Sequence, residues 1–195
     1  MQYFGIALIF VSFVLMLFSI FKKTNNFFNA RQIVKDHFAA FNKSIRQYIV
    51  FYVYPLLLSV GVTFIYDATD VLYDNLLIVL SIILSMLFSV LAIITNFSYK
   101  TDNENPVDKR IIKVVRESCN SILYSCLLCV FIILYCIILI IINDMPFYCG
   151  LLGKILNGIA YYIFVVLILN LLLVVKRISK IINAKIKIES EDSKK

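Results

Sequence analysis

Five long apolar runs alternate with short polar stretches along the chain: Tyr3 to Phe21, Tyr48 to Tyr66, Leu76 to Phe97, Ile122 to Ile142 and Ile155 to Val175. None contains an Asp, Glu, Lys, Arg or His. The runs hold 19 to 22 residues, and about 20 helical residues cross the roughly 30 Å of hydrocarbon in a bilayer. The pattern therefore predicts an all-α polytopic transmembrane helical bundle of about five spans, a single membrane domain over residues 1–195. Barrel strands alternate lipid-facing and lumen-facing residues, and these continuous runs do not. The first run is read as a retained span. No positive residue precedes it, and Phe18-Ser19-Ile20-Phe21 offers no small-x-small cleavage site. It also lacks the polar face of an interfacial helix, which weighs against a four-span layout.

The polar stretches carry a second pattern. From Phe27 to Arg46, the apolar positions Phe27, Val34, Phe38, Phe41 and Ile45 fall at helical spacing, with Arg31, Lys35 and Lys43 off that stripe. This predicts an amphipathic helix in the headgroup layer that runs into the second span. It serves either as an anchor on anionic lipid or as a platform for a soluble partner. Asn103-Glu104-Asn105-Pro106 breaks helix, and Val107 onward restarts it. The tail from Lys176 begins as a basic amphipathic stretch and finishes, over Glu189 to Lys195, as a polar end of the kind that is usually solvated or disordered. Beyond the first span, two helical hairpins of similar plan follow one another, as they do in many bundles without any repeat.

Charge sets the orientation. Of 19 Lys and Arg, six lie in residues 22–47, five in 98–121 and seven from Lys176 onward, leaving only Lys154 on the other side. Basic segments resist translocation, so the N-terminus is expected outside and the C-terminus in the cytoplasm of a cell (inner) membrane. Asp67, Asp70, Asp74 and Asp144 mark the opposite tips. Composition agrees, with 62% hydrophobic and 16% charged residues against roughly 45–50% and 25% in soluble domains.

Small and hydrogen-bonding residues stripe several spans. The second carries Tyr52, Pro55, Ser59, Thr63 and Tyr66, and the third Ser81, Ser85, Ser89, Ala92 and Asn96. Cys119, Cys126, Cys129 and Cys136 occupy one arc of the fourth. The fifth has Asn157 and Tyr161 in its outer half and Asn170 near its inner end. Ser59, Thr63, Ser81, Ser85, Ser89 and Asn157 are the candidates for helix packing, as the interior of the bundle, or for the wall of a pore in a homo-oligomer. Pro55 removes a backbone bond and favours a kink early in the second span.

Catalytic chemistry is hard to assemble from these residues. The single histidine, His37, is read as a solvated interfacial side chain, so no Ser-His pair is expected within the membrane, and intramembrane carboxylates are lacking. The fourth-span cysteines spread over more than four turns, too far to converge on one metal ion. They are expected to act as small apolar packers, with Cys119 a candidate for acylation. No phosphate-binding loop or dinucleotide fingerprint occurs. Topology accounts for the basic loops without nucleic-acid binding. No catalytic, cofactor-binding or metal residues are assigned, and an enzyme is not expected.

The chain is rich in Ile, Asn, Lys and Tyr and has no Trp, a composition typical of AT-rich prokaryotic genes on mobile elements. With that composition, Tyr48-Ile49-Val50-Phe51-Tyr52-Val53-Tyr54-Pro55-Leu56-Leu57 and Asp74-Asn75-Leu76-Leu77-Ile78 resemble the small multispan membrane subunits of prokaryotic anti-phage defence systems, the Kiwa membrane subunit family in particular. The resemblance covers about Gln47 to Val175 and carries no catalytic motif. It implies a membrane sensor or scaffold that recruits a cytoplasmic effector. Docking is then expected on Arg31, Lys35, Lys43 and Arg46 with Lys109, Arg110, Lys113 and Arg116. A homo-oligomeric channel or membrane-disrupting effector, an immunity protein against a pore-forming bacteriocin, and an assembly subunit of a larger complex remain open beside it.

Overall fold

The computed structural model of the chain describes residues 11–12, 15, 30–39, 45–66, 70–98, 106–143 and 150–192, and among them the fold is helical with no strand. Helix α1 covers Ala30–Ala39. A short α2, Ile45–Tyr48, passes through a π-helical turn, Ile49–Val53, into α3, Tyr54–Ile65. Three long helices follow: α4, Asp70–Ser98; α5, Pro106–Asn143; and α6, Leu151–Asp192.

Three apolar stretches are long enough to cross a membrane: Val71–Asn96, Val114–Asn143 and Leu151–Asn183. They cover the expected third, fourth and fifth spans, the third as far as Asn96. The expected second span is a shorter apolar helix, Ile49–Ile65. Of the expected first span only Val11, Ser12 and Leu15 are described, helical and exposed; the rest lies outside the described residues.

Proline explains the π turn. Pro55 has no N–H to offer, and its ring would press on the carbonyl one turn back in a regular helix. Just ahead of it the chain takes a wider turn, with the Tyr54 N–H bonding the Ile49 carbonyl five residues back. The expected local disruption is therefore absorbed by a widened turn, and Pro55 itself is buried.

The core of the bundle runs on a strict seven-residue step. Tyr73, Leu80, Leu87 and Ile94 of α4 meet Val115, Ile122, Cys129 and Cys136 of α5 and Ala160, Leu167, Val174 and Ile181 of α6 in one buried cluster. A second α5 row at the same step, Ser118, Ser125, Ile132 and Leu139, is also buried. A sustained seven-residue repeat brings the seam back to the partner helix every two turns, which is the knobs-into-holes logic of a left-handed supercoil. The principal pairings are α5 with α6, α4 with α5, α3 with α6, and α1 with α5. Cys126, Cys129 and Cys136 are buried in this seam, and Cys119 is half-buried. The outer faces stay apolar: Phe64 is 77% and Ile65 88% exposed, and Ile78, Ile82, Met86 and Ile93 are likewise bare. A surface of that kind suits lipid rather than water.

Two helices outrun the bilayer. At 38 and 42 residues, α5 and α6 are about 57 and 63 Å long, roughly twice the hydrocarbon thickness. The polar end of the tail, expected to be solvated or disordered, is helical as far as Asp192. Ile181, packed in the same cluster as Val115, carries the seam beyond the apolar run. Continued packing, more than the polarity of the last residues, keeps this extension helical.

Candidate functional site

Polar and aromatic side chains from four helices converge at the end of the bundle where the basic residues gather. α1 contributes His37 and Phe38. Ala30 and His37, seven residues apart, face inward and are buried, while Arg31 and Lys35 are exposed. His37, expected to be solvated, instead lies on the ring of Tyr124, with centroids 3.9 Å apart and planes 12° from parallel. Phe38 stacks on Tyr52 at 5.7 Å and on Tyr48 at 6.4 Å, and meets Tyr124 edge-on at 6.4 Å. Tyr52, presented from the π turn, is hydrogen-bonded to Tyr124. The amphipathic helix foreseen here is thus seated against α5, its inward stripe spent on protein contacts.

Arg177 closes the cluster from α6. Its Nη1 donates to the Glu117 carbonyl and to Ser121 Oγ, each at 2.5 Å, while Ser121 Oγ itself donates to the Glu117 carbonyl at 3.0 Å. Charge-assisted bonds of this kind are the stronger ones, and they join the two long helices near the apolar boundary. Burial, with the Arg177 guanidinium nearby as a second cause, lowers His37 from 6.5 to about 4. The imidazole is therefore neutral at pH 7.

A second convergence sits toward the far end of the same helices. Tyr73 of α4 donates to Asn157 Oδ1 of α6, both buried, and Tyr135 of α5 donates to the Leu156 carbonyl at 3.0 Å. α3 approaches closely here. A Cβ on Gly158 would lie 3.2 Å from Thr63 Oγ1, whose hydroxyl is turned onto the Ser59 carbonyl at 2.7 Å. Asn157 and Ser59 are buried here, and Thr63 is half-buried. Between the two ends, Asn170 is fully buried; its Nδ2 donates to the Val166 carbonyl at 2.9 Å, and Oδ1 has no partner among the described residues.

The remaining candidates divide. Ser81, Ser85 and Ser89 are exposed on α4, and Ser81 and Ser89 donate to carbonyls of their own helix. That stripe lies off the face of α4 that the seven-residue step of Tyr73, Leu80, Leu87 and Ile94 turns to α5. Arg31, Lys35, Arg46 and Arg116 are exposed. Lys109 and Arg110 stand on the first two turns of α5 with Lys113 just beyond, and Lys43 lies outside the described residues.

Chemically the inner cluster is a clamp. His37 is stacked on a ring, and among the described residues no group of three His, Cys, Asp or Glu side chains is placed to hold a metal ion. Sequence reasoning placed His37 in solvent and passed over Tyr124 and Arg177. The signal was present in spacing, since Arg177 stands seven residues after Asn170 and His37 seven after Ala30. Comparison of the chain with protein-family models, with curated proteins and with solved structures returns no match.

Proposed function

We propose that the chain is a non-enzymatic multipass component of a bacterial inner membrane, N-terminus outside and C-terminus cytoplasmic, that acts in defence against phage as a sensor or scaffold recruiting a cytoplasmic effector. One observation carries the recruiting role. α1 is seated on the bundle through His37, so Arg31 and Lys35 on its outer face are held in fixed relation to the α5 and α6 extensions. Exposed Arg116, Lys176 and Lys180 lie on those extensions. A fixed positive surface attracts an acidic partner and hastens its encounter, where a floppy basic loop would serve lipid equally well. The defence setting rests on the resemblance of the apolar spans alone.

Recovery of the protein from native membranes in mild detergent tests this reading. A stoichiometric soluble protein is expected to co-purify, more weakly at high salt. Arg31→Glu, Lys35→Glu and Arg116→Glu together should remove it. Undiminished recovery with the reversed charges contradicts docking on this face.

The exposed Ser81, Ser85 and Ser89 favour a second reading, a homo-oligomer joined through α4 that conducts ions or disrupts the membrane. Close helix approach through small residues suits such an interface. Planar-bilayer recordings of the purified protein decide it: silence at all voltages contradicts conduction.

A further inference from the structure

Arg177 follows two residues after Val175, the last of the fifth apolar run, and Leu172 and Val175 just ahead of it are 62% and 63% exposed. A bare apolar surface that gives way at once to a half-buried cation marks the level where hydrocarbon meets headgroups. The guanidinium is only partly used there. Nη1 donates to the Glu117 carbonyl and to Ser121 Oγ, each at 2.5 Å, which commits both of its hydrogens. Those bonds fix the plane of the group and leave its other edge, Nε with Nη2, to hold something else. Among the described residues nothing takes that edge: Glu117 gives its carbonyl and not its carboxylate, and no Asp or Glu is in ion-pair contact with Arg177. The side chain is half-buried, so the edge is reached from outside the bundle. A cation partly withdrawn from water without an anion is costly. Two parallel N–H groups on one edge of a guanidinium match two oxygens of a single phosphate. Lys176 and Lys180, both exposed, flank Arg177 on α6, with Lys180 nearly one turn farther out on the same side.

We propose that this edge of Arg177 seats one anionic phospholipid, its phosphate in the guanidinium fork, its net negative charge beside Lys180 and its acyl chains along Leu172 and Val175. The occupant is a lipid because the seat opens at the end of an apolar surface, where a free anion finds no use for the bare side chains. The proposal rests on the chain spanning a bilayer and on no other part of the proposed function. It holds for either orientation and whether or not a partner is recruited.

Native mass spectrometry of the full chain in mild detergent, titrated with phosphatidylglycerol or phosphatidylcholine, tests it. One phosphatidylglycerol per chain is expected to be retained, about fivefold or more tightly than phosphatidylcholine. Lys180→Gln should lower that affinity about fivefold. Arg31→Gln removes an equally exposed charge from α1 and should leave it unchanged. Arg177→Lys keeps the charge and loses the fork, so its phosphatidylglycerol affinity should fall while the chain keeps its helicity; if helicity is lost, the Lys180 and Arg31 pair still decides. Inorganic phosphate at millimolar concentration should not displace the lipid. Equal retention of the two lipids, equal losses from Lys180→Gln and Arg31→Gln, an unaltered affinity in a helical Arg177→Lys, or displacement by inorganic phosphate would overturn the proposal. None of these outcomes touches the membrane reading, which fails instead if the chain stays out of phosphatidylcholine vesicles.

Discussion

Arg177 of α6 reaches across to Ser121 of α5, with 2.5 Å between Nη1 and Oγ, at the level where both helices leave the apolar zone. Because the same nitrogen also bonds the Glu117 carbonyl, the contact reads backbone as well as side chain. Ser121 keeps its own bond to that carbonyl, so removing the arginine leaves no orphaned hydroxyl. Arg177→Ala is therefore expected to cost about 1.5–2 kcal/mol, the lower part of the range for charged hydrogen bonds. Glu117→Gln should leave the clasp in place, since its carboxylate makes none of these bonds. Unfolding by a denaturing detergent, followed by loss of helicity, checks both. An equal loss from the two substitutions would show that the carboxylate holds Arg177.

The Tyr73 to Asn157 bond joins α4 to α6 across the buried seam. Interhelical hydrogen bonds in membranes contribute about 0.6–2 kcal/mol. Tyr73→Phe should lower stability by that amount, and Asn157→Leu should add little on top of it in a double-mutant cycle. Additive effects would mean that the two side chains act separately.

Close approach of α3 and α6 depends on Gly158. Gly158→Leu should push α3 off α6, because even a Cβ meets Thr63 Oγ1 at 3.2 Å. Gly61→Leu is the control: among the described residues nothing lies within 4 Å of a Cβ there. Disulfide trapping between cysteines placed on α3 and α6 reports the separation. Efficient trapping in Gly158→Leu would show that the interface has room to spare.

How much of this was legible in the sequence follows from what lipid does to the pattern. In water, a buried stripe stands out against a polar remainder. In a bilayer, Ile78 and Ile82 on the outer face are as apolar as Leu80 and Leu87 in the seam, so hydropathy marks the helix and hides its register. The long apolar helices, the restart after Pro106 and the shared arc of the buried cysteines could be read directly. The seven-residue seam could not, and with it went the sidedness of Ser81, Ser85 and Ser89. His37 was misread because polar residues in a segment between spans are ordinarily solvated. Here α1 packs on α5, and a buried imidazole costs little while it stays neutral. The length of α6 was not legible either: Glu189 to Asp192 look like a polar end, and Ile181, docked one heptad beyond Val174, carries the seam outward.

The proposed function rests on the basic ends of α5 and α6 and helix α1 lying together in the cytoplasm, and topology labelling tests this most directly. Cys149, between α5 and α6 in sequence, should react with an impermeant maleimide added to intact cells. A cysteine introduced as Lys180→Cys should react only after the membrane is opened. Labelling of the 180 position from outside, with Cys149 protected until permeabilisation, would invert the molecule and contradict recruitment of a cytoplasmic partner to its basic face.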